Sequence, residues 1–179
     1  NSYGMYQMAS KRGAVADFLK YAKKADPAAA SALEQAGGDK GAREGTPAFR
    51  KAWADLPAKD PAKFAKLQHA YVKDQMYDVA STGLKSKLDV DLNKRSSAVR
   101  EVIWSTAVQH GASGSQAVVR AALAGRQAGS LSDKELIQAI YAERAKHFSK
   151  STPREREAVQ NRFKREEQDA LKLLESGKQ

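Results

Sequence analysis

The chain has 179 residues, a formal net charge of +10 and no cysteine, which excludes disulfides, thiolate metal sites and cysteine nucleophiles. Hydrophobic residues make up 41% and the mean hydropathy is -0.64, values typical of a globular domain rather than a disordered segment. No apolar run reaches the ~18 residues of a membrane span, and Asn1–Gln7 lacks the pattern of a signal peptide. We therefore expect one domain over residues 1–179 and no membrane span.

The positive charge predicts an anionic partner whose binding weakens as salt rises. Basic residues are scattered from Lys11 to Arg165 and interleaved with Asp and Glu. Nucleic-acid-binding domains usually gather Lys and Arg on one element, often with aromatic residues. Solvated helix faces explain most of the scattered charge, so nucleic acid is the less favoured partner. A bacterial envelope rich in phosphate and carboxylate groups explains the excess equally well.

Helical periodicity begins near the start of the chain. Apolar residues recur at helical spacing over Val15–Ala22, which predicts a first helix ending near Asp26–Pro27. A glycine-rich break is expected at residues 37–45. Thr46 and Asp60 are each followed by proline, and this pattern predicts an N-cap with proline in the first turn of the helix.

Further start and stop signals divide the rest of the chain. The helix that follows Asp60 is expected to end at a turn at Thr82–Gly83. Ser96 caps a central, strongly apolar helix that should stop at His110–Gly111, with a shorter helix from Gly114 to Ala124. The last two helices are predicted to begin at Ser132, within a capping box, and at Thr152, which precedes a proline.

Extended structure has one candidate, Ser2–Met8, and no internal repeat is present. The predicted fold class is therefore all-α, with at most one small β-hairpin, arranged around a central buried helix.

Without cysteine and with only three histidines, the chain has few residues that could act as nucleophiles, metal ligands or bases. His69, His110 and His147 lack a metal-ligand spacing, so neither a metal nor a cofactor is predicted. No strand–turn–helix nucleophile elbow and no glycine-rich phosphate loop with its lysine is present. Carboxylates remain as the acids and bases available for chemistry.

One segment carries a family resemblance. The order Ser2-Tyr3-Gly4-Met5-Tyr6-Gln7-Met8 resembles the segment that follows the catalytic glutamate in lysozyme-like hydrolases and soluble lytic transglycosylases. Further blocks extend the resemblance to the lysozyme-like domains of phage tail proteins and type VI secretion effectors. These blocks are 49–53, 64–71, 95–96, 102–111 and 140–144, of which 102–111 is the most specific.

The resemblance implies a lysozyme-like N-acetylmuramidase that cleaves the β-1,4 bond between N-acetylmuramic acid and N-acetylglucosamine in peptidoglycan. It further implies an antibacterial effector or phage lysin, made in the cytoplasm and delivered to the periplasm or cell wall. Its partners would be glycan strands, an immunity protein, and a secretion spike or chaperone. Two alternatives remain, a lytic transglycosylase and a non-catalytic basic module that binds cell wall or nucleic acid.

In the resembling domains the general acid is a glutamate shortly before the hairpin segment. We therefore expect the principal catalytic glutamate upstream of Asn1, in an N-terminal portion of the domain that residues 1–179 lack. Glu143 is the best carboxylate within the chain, because it follows an apolar helical face and adjoins Arg144. An ordinary surface ion pair at Glu143 is the simpler interpretation.

Substrate contacts are expected from two places. A glycine between aromatics allows close backbone approach, tyrosines can pack on sugar faces, and glutamine offers both a donor and an acceptor. A polar trio on the buried central helix costs free energy unless it is partnered or used. The alternatives are an edge hairpin that packs its aromatics on the first helix, and a capping histidine. The predicted contacts are Tyr3, Gly4, Tyr6, Gln7, Thr106, Gln109 and His110.

The charge leads to a testable prediction. With 31 Lys+Arg against 21 Asp+Glu, a long-range field should draw the domain to an anionic cell wall, and this field is screened within ~8 Å at physiological salt. Binding to peptidoglycan should therefore fall steeply with added salt, as measured by pelleting assays. Cleavage of an uncharged chitooligosaccharide should change far less, because chemistry in the cleft depends on short-range contacts. Equal salt sensitivity on both substrates would place the basic residues in the cleft itself.

Overall fold

A computed structural model describes residues 1–177, which form two compact units. The first unit spans Asn1–Asp74, and the second begins at Gln75. No helix among the described residues is long and apolar enough to cross a membrane. The single domain expected over residues 1–179 stays a prediction.

The first unit consists of one small hairpin and a set of short helices, as the all-α prediction required. The hairpin is antiparallel, with Ser2 opposite Ala9 and Tyr3 opposite Met8. Its elements are β1 (Ser2–Tyr3), β2 (Met8–Ala9), α1 (Ala14–Ala25), α2 (Pro27–Gln35), α3 (Gly38–Glu44), α4 (Pro47–Lys59) and α5 (Pro61–Val72).

Side-chain caps fix the starts of three helices in this unit. Thr46 accepts a hydrogen bond from Phe49 N, and Asp60 accepts one from Lys63 N, so both predicted starts are confirmed. Asp26 follows the last residue of α1 and caps α2 by accepting from the N–H of Ala29. In each case a proline occupies the first turn, where its missing N–H costs no intrahelical hydrogen bond.

The glycine-rich break predicted at residues 37–45 is wrong, because α3 forms inside it. Gly37 (φ 117°) and Gly45 (φ 68°) adopt left-handed backbone conformations on either side of the helix. A Cβ on Gly41 would lie 3.3 Å from Phe49 Cβ, so the glycine lets α3 approach α4 closely. The glycines therefore end and pack a short helix instead of forming a loop.

Aromatic rings dominate the core of the first unit. Phe18 is fully buried, and its ring centroid lies 5.5 Å from that of Trp53 and 5.4 Å from that of Tyr71. Phe64 packs edge-on against Trp53 with ring centroids 5.3 Å apart. Such edge and tilted arrangements stabilise a core beyond the apolar area that they bury.

The second unit contains the longer helices. A π-helical segment, Lys73–Tyr77, precedes its first helix in the chain. The helices are α6 (Asp78–Leu88), α7 (Ser97–Leu123), α8 (Asp133–Lys146) and α9 (Pro153–Ser176). Ser96 caps α7, while Ser132 and Thr152 form capping boxes at α8 and α9, so these three predicted starts are confirmed.

The turn predicted at Thr82–Gly83 is wrong, because both residues lie within α6. The Thr82 hydroxyl donates to Asp78 O at 2.9 Å, a bond within the helix. A Cβ on Gly83 would lie 2.1 Å from Gln116 Nε2, so the missing side chain makes room for α7. The helix ends instead at Asp89, which adopts a left-handed conformation (φ 55°).

The break predicted at His110–Gly111 is confirmed. Gly111 has φ 75° and ψ 174°, a backbone conformation open essentially to glycine alone, and it interrupts α7. The second half of α7 begins directly after this break, earlier than the predicted Gly114.

The apolar face predicted for the central helix forms the core of the second unit. Val99, Val102 and Ile103 are buried there with side chains from α8 and α9. Leu136, Ile137 and Ile140 of α8 are fully buried in this core.

His110 lies at the edge of this core, just before the break in α7. Its ring centroid lies 5.1 Å from that of His147 and 6.3 Å from that of Phe148. Its Nε2 is buried without a hydrogen-bond partner among the described residues. Burial, followed by the nearby charges of Arg144, His147 and Arg162, lowers the pKa of His110 from 6.5 to about 4.

This environment predicts acid sensitivity. Because the folded pKa of His110 lies below the unfolded value, the neutral ring contributes stability above pH 6.5 that is lost as the pH falls towards 4. Urea unfolding should therefore show a free energy lower by about 1–2 kcal/mol at the acid end of this range, since partial exposure reduces the full effect. The His110→Gln variant should lose this part of the pH dependence, and His69→Gln should keep it. A pH dependence unchanged in His110→Gln would contradict the prediction.

Candidate functional site

The hairpin that carries the predicted site turns over Gly4–Gln7. Gln7 N donates to Gly4 O at 3.1 Å, and the Gln7 side-chain Nε2 donates to the same oxygen at 3.0 Å. Gly4 (φ 76°) and Gln7 (φ 52°) both adopt left-handed conformations. The side chain of Gln7 therefore closes the turn in which it lies.

A buried glutamine on α5 holds this turn in place. Gln68 Oε1 accepts from Met5 N at 3.1 Å, and its Nε2 donates to Phe64 O at 3.4 Å. A Cβ on Gly4 would lie 2.1 Å from Gln68 Oε1 and 3.0 Å from Trp53, so only glycine fits at position 4. The sequence analysis did not identify Gln68, because no local pattern links it to a hairpin 63 residues away.

Tyr3 is buried beside the turn, so its ring is not an exposed surface on which a ligand could stack. The residue is 7% exposed, and its hydroxyl donates to Ala42 O at 2.8 Å. Its ring packs edge-on against Phe49, with centroids 5.1 Å apart, and lies 5.4 Å from the Trp53 ring. These contacts leave little of the ring free to stack on a sugar.

Tyr6 and Gln7 are the more accessible members of the predicted hairpin set. The Tyr6 hydroxyl is hydrogen-bonded to His69 Nδ1 at 2.9 Å, and burial raises the pKa of this hydroxyl above 10.0. Met5, at the tip of the turn, is 60% exposed. The turn thus presents an amide, a protonated phenol and an apolar side chain to solvent.

An open pocket of about 290 Å³ adjoins the hairpin at Gly4. Tyr3, Trp53 and Ala54 supply apolar atoms to its lining, while Asn1, Ser2 and Arg50 supply polar groups. An apolar surface combined with a few convergent polar groups is typical of small-ligand sites.

The predicted contacts on α7 lie in the second unit. Thr106 is fully buried, and its hydroxyl donates to Val102 O at 2.6 Å, so it offers no exposed surface to a ligand. Gln109 is half-buried and accepts from Arg144 Nη2 at 2.6 Å. His110 occupies the position beside His147 described above. The structure thus brings Gln109 and His110 to the end of one helix.

Arg144 is the centre of a polar cluster that the sequence did not reveal. Its guanidinium is fully buried and donates to Ser105 Oγ at 3.2 Å as well as to Gln109. The same group lies 4.5 Å from the centroid of the Phe163 ring. Burial lowers the pKa of Arg144, while Tyr141 and Glu166 oppose this effect.

Glu166, on α9, supplies the opposite charge. Its Oε2 accepts from Ser105 Oγ at 2.9 Å and from the Tyr141 hydroxyl at 3.0 Å, and it lies 3.5 Å from Arg144 Nη1. Nothing in the local sequence distinguishes Glu166 from the other charged residues of α9. Its role follows only from the packing of α7, α8 and α9.

Glu143, the in-chain carboxylate candidate, forms an ion pair with Lys146 at 2.7 Å. The surface pair expected with its neighbour is therefore made with a different cation, since Arg144 turns inward. The hairpin candidates belong to the first unit and Glu143 to the second. Roles in catalysis or substrate binding stay predictions for all of these residues.

The described residues contain no group of three or more His, Asp or Glu side chains arranged to hold a metal ion.

Comparison with known proteins places the chain in a family. Residues 1–167 match the family model for the type VI secretion system spike protein VgrG3-like C-terminal region. The type VI secretion system spike protein VgrG3 of Vibrio cholerae serotype O1 is 31% identical over 136 residues. This match covers 76% of the chain and 12% of the length of that relative. The chain belongs to the VgrG3-like C-terminal family of type VI secretion system spike proteins.

Proposed function

We propose that this chain is a peptidoglycan-degrading glycoside hydrolase domain, carried by a type VI secretion spike and delivered as an antibacterial effector into the periplasm of a target cell. One observation carries the proposal: the turn that contains Tyr6 and Gln7 is tied to Gln68, and its first residue, Gly4, lines an open pocket. This is the segment that resembles the substrate-side hairpin of lysozyme-like enzymes. The bond is the β-1,4 linkage between N-acetylmuramic acid and N-acetylglucosamine.

The proposed mechanism needs a protonated carboxylic acid beside the scissile bond. A glutamate upstream of Asn1 would fill this role, kept protonated by an apolar wall while it donates to the leaving glycosidic oxygen. The sugar acquires oxocarbenium character as the bond breaks. Glu143 is the weaker in-chain candidate, because its carboxylate is already paired with Lys146 at 2.7 Å.

Residues of the hairpin would orient the sugar and the attacking water. Gln7 is exposed, and its amide uses one N–H to close the turn, which leaves its carbonyl oxygen as an acceptor for a hydroxyl or water. The Tyr6 phenol is protonated near neutral pH, and burial raises its pKa further above 10.0. Gln109 and His110 remain candidates for further contacts, whereas Thr106 would first have to break its bond to Val102 O.

The upstream acid can be tested directly. The protein that includes the residues preceding Asn1 should clear a suspension of purified peptidoglycan, because cleavage lowers the turbidity of the suspension. Replacing each upstream carboxylate by its amide should abolish clearance at one position, because the proposed mechanism depends on one carboxylic acid to protonate the leaving oxygen. Clearance that survives every such replacement would contradict the assignment. Mass spectrometry separates hydrolysis from transglycosylation, whose anhydro products contain one water less.

Gln7→Ala should lower turnover on peptidoglycan and change the free energy of unfolding by about 1 kcal/mol or less, since the side chain adds one exposed hydrogen bond to the turn. Turnover per folded molecule and urea unfolding should be measured together. Gln35→Ala is a matched control in the same unit, because Gln35 is also exposed and makes one side-chain hydrogen bond, at 3.3 Å to Ser31. A large loss of stability at unchanged turnover would make Gln7 a structural residue.

A further inference from the structure

We infer that the pocket beside the hairpin binds a carboxylate-bearing amino sugar and that Arg50 is the residue that recognises the carboxylate. The inference rests on the proposed function for the identity of the polymer, and it goes further by naming the sugar that occupies this pocket. Its basis is the charge of Arg50, the placement of its guanidinium at the pocket and the composition of the pocket walls.

Arg50 carries a charge that the described part of the chain does not neutralise. Two neighbouring cations are paired, Arg43 at 2.8 Å from Asp39 and Lys51 at 2.7 Å from Asp55. Among the described residues, no carboxylate lies within ion-pair distance of Arg50. Its Nη2 donates instead to a neutral acceptor, Asn1 Oδ1, at 3.3 Å. The guanidinium is therefore available to an anionic ligand.

Arg50 is exposed, and its contacts place the guanidinium beside the pocket that it lines. Asn1 is itself anchored, because its Nδ2 donates to Arg43 O at 3.0 Å and its backbone oxygen accepts from Ser10 N at 2.9 Å. A Cβ on Gly45 would lie 2.8 Å from Arg50 Nη2, so the guanidinium packs against bare backbone. A preorganised donor fork loses less conformational entropy when it binds a ligand.

The remaining lining suits a single sugar ring. Trp53 and Ala54 offer apolar surface, while Asn1 and Ser2 offer polar groups for hydroxyl or acetamido substituents. A volume of about 290 Å³ is at the small end of ligand pockets, which favours one ring over an extended strand. A neutral sugar would contact these apolar and polar side chains but would leave the charge of Arg50 unpaired.

The carboxylate could come from two parts of a muramoyl residue. An unsubstituted residue carries it on the lactyl group, whereas in cross-linked wall the lactyl group forms an amide and the charge lies on the peptide stem. Both sources present a planar group that accepts two parallel N–H bonds from arginine. The shared chemistry is a carboxylate held next to an N-acetylated pyranose.

Binding of small probes tests this inference without cleavage. N-acetylmuramic acid, muramyl dipeptide and N-acetylglucosamine should each be titrated by NMR at low salt into the intact chain and into Arg50→Gln. At least one acidic probe should bind about tenfold more tightly than N-acetylglucosamine, and Arg50→Gln should remove this preference. Preference for N-acetylmuramic acid identifies the lactyl source, and preference for muramyl dipeptide alone identifies the stem.

Two further variants complete the design. Lys51→Gln removes the same charge from the adjacent residue, which does not line the pocket, and should keep the preference. Arg50→Lys should retain only part of it, because an ammonium cannot form the two parallel bonds. Equal affinity for acidic and neutral probes, or an equal loss in Lys51→Gln, would overturn the inference. Since binding and cleavage are measured separately, absence of wall cleavage would count against the proposed function alone.

Discussion

The guanidinium of Arg144 is buried completely, and a buried charge must be paired and hydrogen-bonded or it destabilises the fold. Here its partners come from different helices. Ser105 and Gln109 lie on α7 and Glu166 lies on α9, while Arg144 itself belongs to α8. These contacts join the three helices, although Arg144 Nε has no hydrogen-bond partner among the described residues. The second unit is therefore held together by a polar network as well as by its apolar core.

Two of the predicted site residues have a structural role in or beside this cluster. Gln109 accepts the shortest hydrogen bond from Arg144, and the charge of Arg144 is one cause of the lowered pKa of His110. A polar group on a buried helix face therefore has a structural partner here. A substrate that reaches Gln109 must either displace its hydrogen bond to Arg144, which joins α7 to α8, or bind to atoms of Gln109 that this bond leaves free.

The sequence predicted helix starts well and the site partners poorly. Capping residues such as Thr46 and Ser132 act within their own first turn, so a local pattern contains all that is needed to predict them. The roles of Gly83 and Gly41 depend on a second helix that approaches the glycine, and a local reading therefore took these glycines for turn and loop signals. The hairpin was predicted as the one candidate for extended structure, and its role in a site was inferred from the resemblance to a family.

The partners that complete the candidate site could not be predicted either, because they lie far away in the sequence from the residues that they contact. Gln68 lies 63 residues from the turn that it anchors, and Glu166 lies 61 residues from Ser105. Nothing in their own neighbourhoods separates them from other polar residues on helix surfaces. Arg144 was interpreted as half of a surface pair with Glu143, because the sequence does not show which way a helical side chain points. Only packing distinguishes a buried arginine from an exposed one.

The contact between Gly4 and Gln68 also limits how this family can vary. A methyl group at position 4 would displace the amide of Gln68, and the Met5 N–H would then lose its acceptor. The left-handed backbone at position 4 (φ 76°) disfavours any other residue even where that space is cleared. Position 4 should therefore stay glycine among relatives that keep this turn, even where overall identity is low.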